Sequence, residues 1–213
     1  MARISVFGGT GYAGGSIVAE AARRGHSVTS YSRNLPEQRT EGVQYVQGSL
    51  LDADTRTKAL DGADVVVVTV APRGDMAGAV RDGIKALAAE AEQAGVRLGV
   101  IGGAGSLHVT DGGPRLFDTD GFPAEYKPES LEMADALDDL RGTERLDWFY
   151  VSPPAAFGAF APGEARGTYR IGGDVLLSDD EGNSFIGGAD FGRALVDEIE
   201  HPAHRRARFT VAY

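Results

Sequence analysis

Hydrophobic positions along this chain fall into short β-branched or aromatic runs separated by stretches of helical period. Arg3–Phe7 is a brief apolar run ending in glycines, and Ala13–Arg24 carries a helical pattern. Ser27–Tyr31 and Val43–Gln47 predict two more strands, and Asp52–Leu60 predicts a short helix opened by an Asp52 cap. Val65–Val70 is β-branched throughout and apolar but for Thr69, as expected of a parallel strand covered on both faces. The alanine-rich stretch Asp75–Ala94 predicts a long helix stopped by Gly95. Val96–Ile101 reads as a strand, Pro128–Arg141 as a helix, and Leu146–Ser152 as a strand ending at Pro153-Pro154. Past Gly173 the pattern predicts a strand-like piece at Val175–Leu177, a helix at Asp190–Ile199 and a last strand at Ala207–Ala212.

Strands alternating with helices at this spacing imply right-handed βαβ units. The expected fold class is α/β: a doubly wound parallel sheet (Rossmann-like) with helices on both faces and a small C-terminal substrate-side region. With 213 residues and neither an internal repeat nor a clear linker, residues 1–213 are expected to form one domain. Gly102–Lys127 and Pro153–Thr168 are irregular and follow strands late in the sheet. Both should lie over its carboxyl edge, where such folds bind ligands.

Composition narrows the partners. Lys+Arg 21 against Asp+Glu 31 gives a formal net charge of -10, which repels phosphate backbones and anionic membrane surfaces, so no nucleic acid and no membrane partner is expected. The basic stretch His204-Arg205-Arg206-Ala207-Arg208 stands alone beside an acidic helix and reads as a solvated cluster. The longest apolar stretch, Val65–Ala71, is interrupted by Thr69 and stopped by Pro72, far short of the roughly 20 residues that span a bilayer. A strand-like run begins at Ile4 almost at once, so a charged leader followed by an apolar region is not expected. With Cys 0 there is neither a disulfide framework nor a thiolate nucleophile, and a cytoplasmic location is the default expectation. The four histidines form no recognisable ligand set with carboxylates, and no metal is expected.

The strongest chemical signal is Gly8-Gly9-Thr10-Gly11-Tyr12-Ala13-Gly14, directly after the first strand and opening the first helix. Gly8 permits a tight turn, Gly11 lets backbone approach a pyrophosphate, and Gly14 lets the helix sit close to the sheet. The helix N-terminus then offers unpaired N–H groups to the anion. Strand before and helix after make this a dinucleotide site rather than a mere turn. An NAD site usually places a carboxylate at the end of the second strand. Here that segment reads Tyr31-Ser32-Arg33-Asn34, with Arg33 where a 2′-phosphate would lie. NADP(H) is therefore expected over NAD(H).

That loop, together with YSRN at 31–34, VIGGAGSL at 100–107, DWFYVSPPAAF at 147–157 and the late YRIGGD, resembles an atypical short-chain dehydrogenase/reductase. More narrowly, the chain is similar to NAD(P)-binding proteins of the NADH-flavin reductase group, relatives of NmrA-like proteins and biliverdin reductase B. The resemblance runs from Arg3 to the terminal RFTVAY. It implies that Thr10, Gly11, Tyr12 and Ala13 hold the pyrophosphate and that Ser32 with Arg33 holds the 2′-phosphate. By the same resemblance Ser49 and Leu50 flank the adenine, and Val70, Ala71 and Pro72 run beside the ribose. Gly102, Gly103 and Ala104 would line the nicotinamide side, with Ser152, Pro153, Pro154 and Ala155 closing over it.

Classical members of that superfamily use Tyr-x-x-x-Lys. Only Lys58, Lys85 and Lys127 exist here, and the residues four before them are Asp54, Arg81 and Pro123, so the motif is absent. Tyr126-Lys127 is adjacent, and neighbouring helical residues do not face each other. Without that pair, a flavin or quinone suits as acceptor, because it delocalises the incoming charge and water can supply the proton. Leu107, His108, Phe117, Phe122, Phe157 and Phe160 lie in the two strand-edge loops and are the expected lining of a pocket for a small aromatic acceptor. Ser106 is the candidate to hydrogen-bond a substrate oxygen, the alternative being a turn serine. No flavin motif is present, so flavin is expected as substrate rather than bound cofactor. Two readings stay open: an NADPH-dependent reductase, or a non-catalytic NADP(H) sensor acting through a protein partner. Monomer and homodimer are both compatible with the sequence.

Overall fold

The computed structural model, which describes residues 1–213, builds eight strands into one sheet. The strands are β1 (Arg3–Phe7), β2 (Ser27–Ser32), β3 (Val43–Gln47), β4 (Val65–Val68), β5 (Arg97–Ile101), β6 (Trp148–Ser152), β7 (Arg170–Gly172) and β8 (Ala207–Ala212). The helices are α1 (Tyr12–Arg23), α2 (Ala53–Leu60), α3 (Val80–Ala94), α4 (Lys127–Arg141) and α5 (Gly188–Glu200). Strand order is β3-β2-β1-β4-β5-β6-β8-β7, parallel throughout except for β7 against β8. The order reverses at β1, between β2 and β4, which opens the crevice typical of doubly wound sheets at the β1 carboxyl end.

Alternating side chains serve two cores. Val66 and Val68 of β4 join Leu87 of α3 and Leu137 of α4 on one face. Val65 and Val67 join Ile17 of α1 and Leu195 of α5 on the other. Strand β6 divides the same way, with Trp148 and Tyr150 toward α3 and α4, and Phe149 and Val151 toward α1 and α5. Burial on both faces is why β4 needs four consecutive valines rather than alternation. Each such side chain contributes about 1.5–3 kcal/mol when fully buried.

Charged groups fasten the α1–α5 layer. Arg24 donates to Glu20 (2.8 Å), Asp197 (2.7 Å) and Glu200 (2.6 Å), bridging the two helices. Hydrogen bonds from Arg23 and then Arg24 hold the Glu20 carboxyl down at about 2, against the opposing effect of partial burial.

Three expectations need correction. Helix α3 starts at Val80 rather than Asp75, because Gly74–Met76 forms a separate single turn and Gly78 has φ +76°, outside the right-handed helix. Strand β4 ends at Val68, two residues early. The small strand after the second loop is Arg170–Gly172, pairing Arg170 with Ala212 and Ile171 with Val211, whereas Val175 forms only a single bridge to His108. The Asp52 cap is present, its carboxylate accepting from the Asp54 amide at 3.2 Å.

Candidate functional site

The glycine loop turns sharply out of β1 at Gly8, whose φ is +83°. Its three motif glycines answer different demands. A Cβ on Gly14 would lie 2.3 Å from the Gly8 carbonyl oxygen and 2.5 Å from Thr69 Oγ1, so this glycine lets α1 seat against the sheet. A Cβ on Gly11 would meet only the Gly8 oxygen at 3.4 Å. Nothing in the protein itself demands glycine there, and the open space in front of it is what an approaching ligand needs. Gly11 is the N-cap of α1, and no backbone carbonyl accepts from the amides of Thr10, Tyr12 or Ala13. These N–H groups, at the positive end of the helix dipole, form a cradle for an anion.

From this cradle a cleft of about 1070 Å³ extends along the carboxyl edge of the sheet. Gly8, Thr10, Gly11, Tyr12 and Ala13 line it, as do Ser32, Arg33, Ser49 and Leu50. Val70, Ala71 and Pro72 form its middle, followed by Gly102, Gly103 and Ala104, with Pro153, Pro154 and Ala155 on the facing side. The cleft thus brings together nearly all the residues expected around a dinucleotide. Arg33 projects into the mouth half-exposed, its Nη1 3.7 Å from Asp75 Oδ2. The Ser32 hydroxyl donates to the Asn34 carbonyl (2.9 Å), and Ser49 Oγ accepts from the Leu51 amide (3.2 Å). Gly102 is glycine because the buried Tyr150 phenol lies directly beneath it, where a Cβ would overlap the hydroxyl. Burial pushes that phenol well above the ordinary tyrosine range, and it pushes up Tyr31, which stacks on Phe7 in the cleft floor.

Several expected residues lie elsewhere. Ser106 is 7% exposed, and its Oγ accepts from Arg208 Nη1 at 2.9 Å on the far side of its turn. His108 keeps Nδ1 2.6 Å from the Gly113 carbonyl and lines a separate cavity of about 70 Å³ with Ser106, Arg115 and Asp174. Leu107 and Phe117 are buried as the packing of the first loop. Ser152 is fully buried below the cleft floor, and Gly14 acts through packing rather than by lining the cleft. Phe122, Phe157 and Phe160 do line the cleft. Phe157 is seated against Phe191 (4.3 Å) and Tyr12 (5.2 Å), whereas Phe160 is 74% exposed.

The far end contains residues that sequence reasoning missed. Arg73 follows β4, and Tyr126, Glu129, Ser130 and Met133 come from the start of α4. Arg73 makes two bonds to Glu129 (2.5 and 2.9 Å), which raise its pKa and keep it charged, and its guanidinium lies 5.8 Å from the Tyr126 ring centre. Residues 126, 129, 130 and 133 share the 3–4 spacing of one helix face, the one signal that could have grouped them. The second loop is held from behind by Asp190. This buried carboxylate accepts from the Arg166 amide (2.6 Å), the Gly167 amide (3.2 Å) and the Tyr213 hydroxyl (2.6 Å). No three acidic or histidine side chains come close enough to hold a metal ion, and no helix is long and apolar enough to cross a membrane.

A reversal-point crevice, a glycine turn and a free-amide helix terminus define an α/β dinucleotide-binding protein. A family model for NAD(P)H-binding proteins matches residues 8–202, and the chain belongs to that family. Among solved structures it is similar to a candidate exported protein from Burkholderia pseudomallei, with 42% identity, all of both chains covered and a TM-score of 0.86. A candidate epimerase from Bacteroides thetaiotaomicron is 30% identical over 100% of this chain and 98% of its own, with a TM-score of 0.88. A candidate NADH-flavin reductase from Streptococcus pneumoniae is 31% identical over 100% and 99%, with a TM-score of 0.79. The NAD(P)-binding, oxidoreductase-like fold is thereby shown.

Proposed function

We propose that this protein is a reductase that passes hydride from NADPH, in preference to NADH, to a flavin, quinone or similar conjugated acceptor. The observation that carries the reading is the extension of the cleft beyond the anion cradle into a chamber walled by Leu116, Phe122, Tyr126, Phe157 and Phe160. A protein that only sensed the cofactor would need no such chamber. The cofactor, when bound, supplies the hydride; everything else is binding and orientation. The amides of Thr10, Tyr12 and Ala13 hold the pyrophosphate, and Arg33 with Ser32 takes the 2′-phosphate. Gly102 and Gly103, without side chains, leave room beside the reacting ring. The aromatic wall stacks a planar acceptor, its contribution being proximity and orientation. The flavin-reductase name of the Streptococcus relative supports the acceptor class. The cysteine-free chain supports a cytoplasmic location, and the Burkholderia relative described as exported is the observation against it.

The test is anaerobic NADPH oxidation by the purified protein with FMN, riboflavin and small quinones offered in turn. Saturable turnover that NADH supports poorly is expected. Tight NADPH binding with no turnover on any acceptor would replace this reading with the sensor.

A further inference from the structure

Reducing a carbonyl oxygen takes a proton as well as a hydride, and few cleft hydroxyls are free to give one. Tyr12 donates to the Pro162 carbonyl (2.6 Å), Thr69 to the Phe7 carbonyl (2.9 Å) and Thr119 to the Leu116 carbonyl (2.7 Å). Ser106 faces Arg208, away from the cleft. At the acceptor end two hydroxyls remain, both on the first turn of α4. Tyr126 is its N-cap and Ser130 lies four residues on, so the two share a helix face. Neither hydroxyl forms a hydrogen bond within the protein. Ser130 stands against the turn that follows β5: a Cβ on Gly105 would lie 2.6 Å from Ser130 Oγ. Gly105 thus lets Ser130 approach the backbone segment on which Gly102–Ala104 lie. Tyr126 is fixed by Arg73, whose guanidinium covers its ring and is itself clamped by Glu129.

We propose that Tyr126 and Ser130 are the hydroxyl pair that receives the acceptor's oxygen, with Tyr126 delivering the proton and Arg73 as a positioning residue. This rests on the reductase reading and widens its acceptors to aromatic carbonyl compounds, whose reduced oxygen must be protonated in place. In the step, the acceptor's carbonyl carbon would gain a hydride (one proton with two electrons) given up by the bound cofactor, so the carbonyl is reduced and the cofactor oxidised. The Tyr126 O–H bond breaks and the acceptor's O–H bond forms, while Ser130 donates a hydrogen bond to the same oxygen. Tyr126 is 48% exposed, so bulk water restores its proton. The pair takes over the role the sequence assigned to Ser106, and it works without a lysine partner.

The experiment uses Tyr126→Phe, Ser130→Ala, the hydroxyl-retaining Ser130→Thr, and Ser106→Ala for comparison. Two quantities are read: the affinity of 9,10-phenanthrenequinone for the NADP⁺-loaded protein, and kcat for its reduction with NADPH. Tyr126→Phe and Ser130→Ala are each expected to weaken quinone binding about tenfold, the loss of one hydrogen bond. Tyr126→Phe should also lower kcat about a hundredfold, the usual scale of a lost proton donor. Ser130→Thr should restore binding, and Ser106→Ala should match the wild type. Wild-type quinone affinity in both Tyr126→Phe and Ser130→Ala, or no quinone binding to the wild type, overturns the pair. A loss of turnover confined to Ser106→Ala does the same. If the wild type binds quinone but reduces no acceptor, the reductase reading fails, and the binding series alone decides whether the two hydroxyls hold the oxygen.

Discussion

Replacing Gly11 by alanine should abolish tight cofactor binding while leaving the fold intact, whereas the same change at Gly14 should unsettle the fold. At Gly11 the backbone is extended (φ -80°, ψ 175°), a conformation open to any residue, and the new methyl meets only the Gly8 oxygen at 3.4 Å. The folding cost is therefore expected within about 0.5 kcal/mol, as for a surface change. That methyl would take up open space beside the free loop amides that an approaching phosphate needs, and each N–H···O⁻ bond to a phosphate is worth about 1.5–3 kcal/mol. Loss of one weakens binding roughly 10- to 150-fold. At Gly14 the methyl would fall 2.3 Å from the Gly8 oxygen, which is itself held by the Gly11 amide at 3.0 Å, so the loop cannot yield without breaking its own turn. Overpacking of this kind costs about 1–3 kcal/mol, offset by up to about 1 kcal/mol of helix propensity. A melting point lower by a few degrees follows, at roughly 2–4 °C per kcal/mol for a chain of this size. Calorimetric titration with NADPH and thermal melts of both variants decide the matter. Wild-type NADPH affinity in Gly11→Ala would refute the cradle and leave the loop as a turn.

Other outcomes can be checked alongside. Arg33→Ala should weaken NADPH binding roughly 10- to 150-fold, the loss of one charged hydrogen bond of about 1.5–3 kcal/mol, and leave NADH nearly untouched; equal losses for both cofactors would remove the 2′-phosphate role. Glu20 has a folded pKa of about 2 against an ordinary value of 4.5. Its stabilising contribution is thus complete above pH 4.5 and is lost as pH falls toward 2. Glu20→Gln should flatten the dependence of melting temperature on pH in that window, and an unchanged slope would count against the network. Asp190→Ala takes away the buried acceptor shared by the Arg166 and Gly167 amides and the Tyr213 hydroxyl, and losing hydrogen bonds to a charged group costs about 1.5–3 kcal/mol. It should speed proteolytic cleavage within 153–168 and raise the acceptor KM more than the NADPH Kd. A loop as resistant as the wild type's would show that Asp190 does not hold that wall.

The parts of this structure legible in the sequence are those governed by local spacing. The four valines of β4, the Gly8-Gly11-Gly14 turn and the Asp52 cap each express a constraint that acts within a few residues, and each element formed where its pattern lies. Strand β7 is hidden because Arg170 and Ile171 are both exposed, so its three residues show no alternation; its existence depends on the edge offered by β8, whose Ala212 pairs with Arg170 from far along the chain. Helix α3 was extended too far because Asp75 and Met76 suit a helix, while the positive φ of Gly78 is imposed by the chain's path and not by its neighbours' propensities.

The site divides along the same line. Its cofactor half rests on backbone: free amides, a tight turn and absent side chains, all of which glycine spacing announces. The proposed acceptor half rests on which side chains of two long loops face inward, and a hydrophobic residue in a long loop can pack the loop itself instead of lining a pocket. Leu107 and Phe117 do the first, while Phe122 and Phe157 do the second, although all four look alike in the sequence. The serines show the sharper version of this ambiguity. Ser106 follows β5 closely and draws attention for that reason, yet the turn from Ala104 to Ser106 rotates its hydroxyl toward Arg208 of β8, behind the cleft wall. Ser130 is 24 positions further along and lies on a helix, but Gly105 leaves the gap through which its hydroxyl reaches the same turn from the cleft side. Gly105 is therefore informative only as half of a pair. Its missing Cβ has no local meaning, and it becomes readable once α4 is laid across the turn. On this account Gly105→Ala should displace Ser130 without touching the anion cradle, impairing acceptor binding at full NADPH affinity. An equal loss of both would mean that the turn after β5 supports the whole cleft rather than its acceptor end.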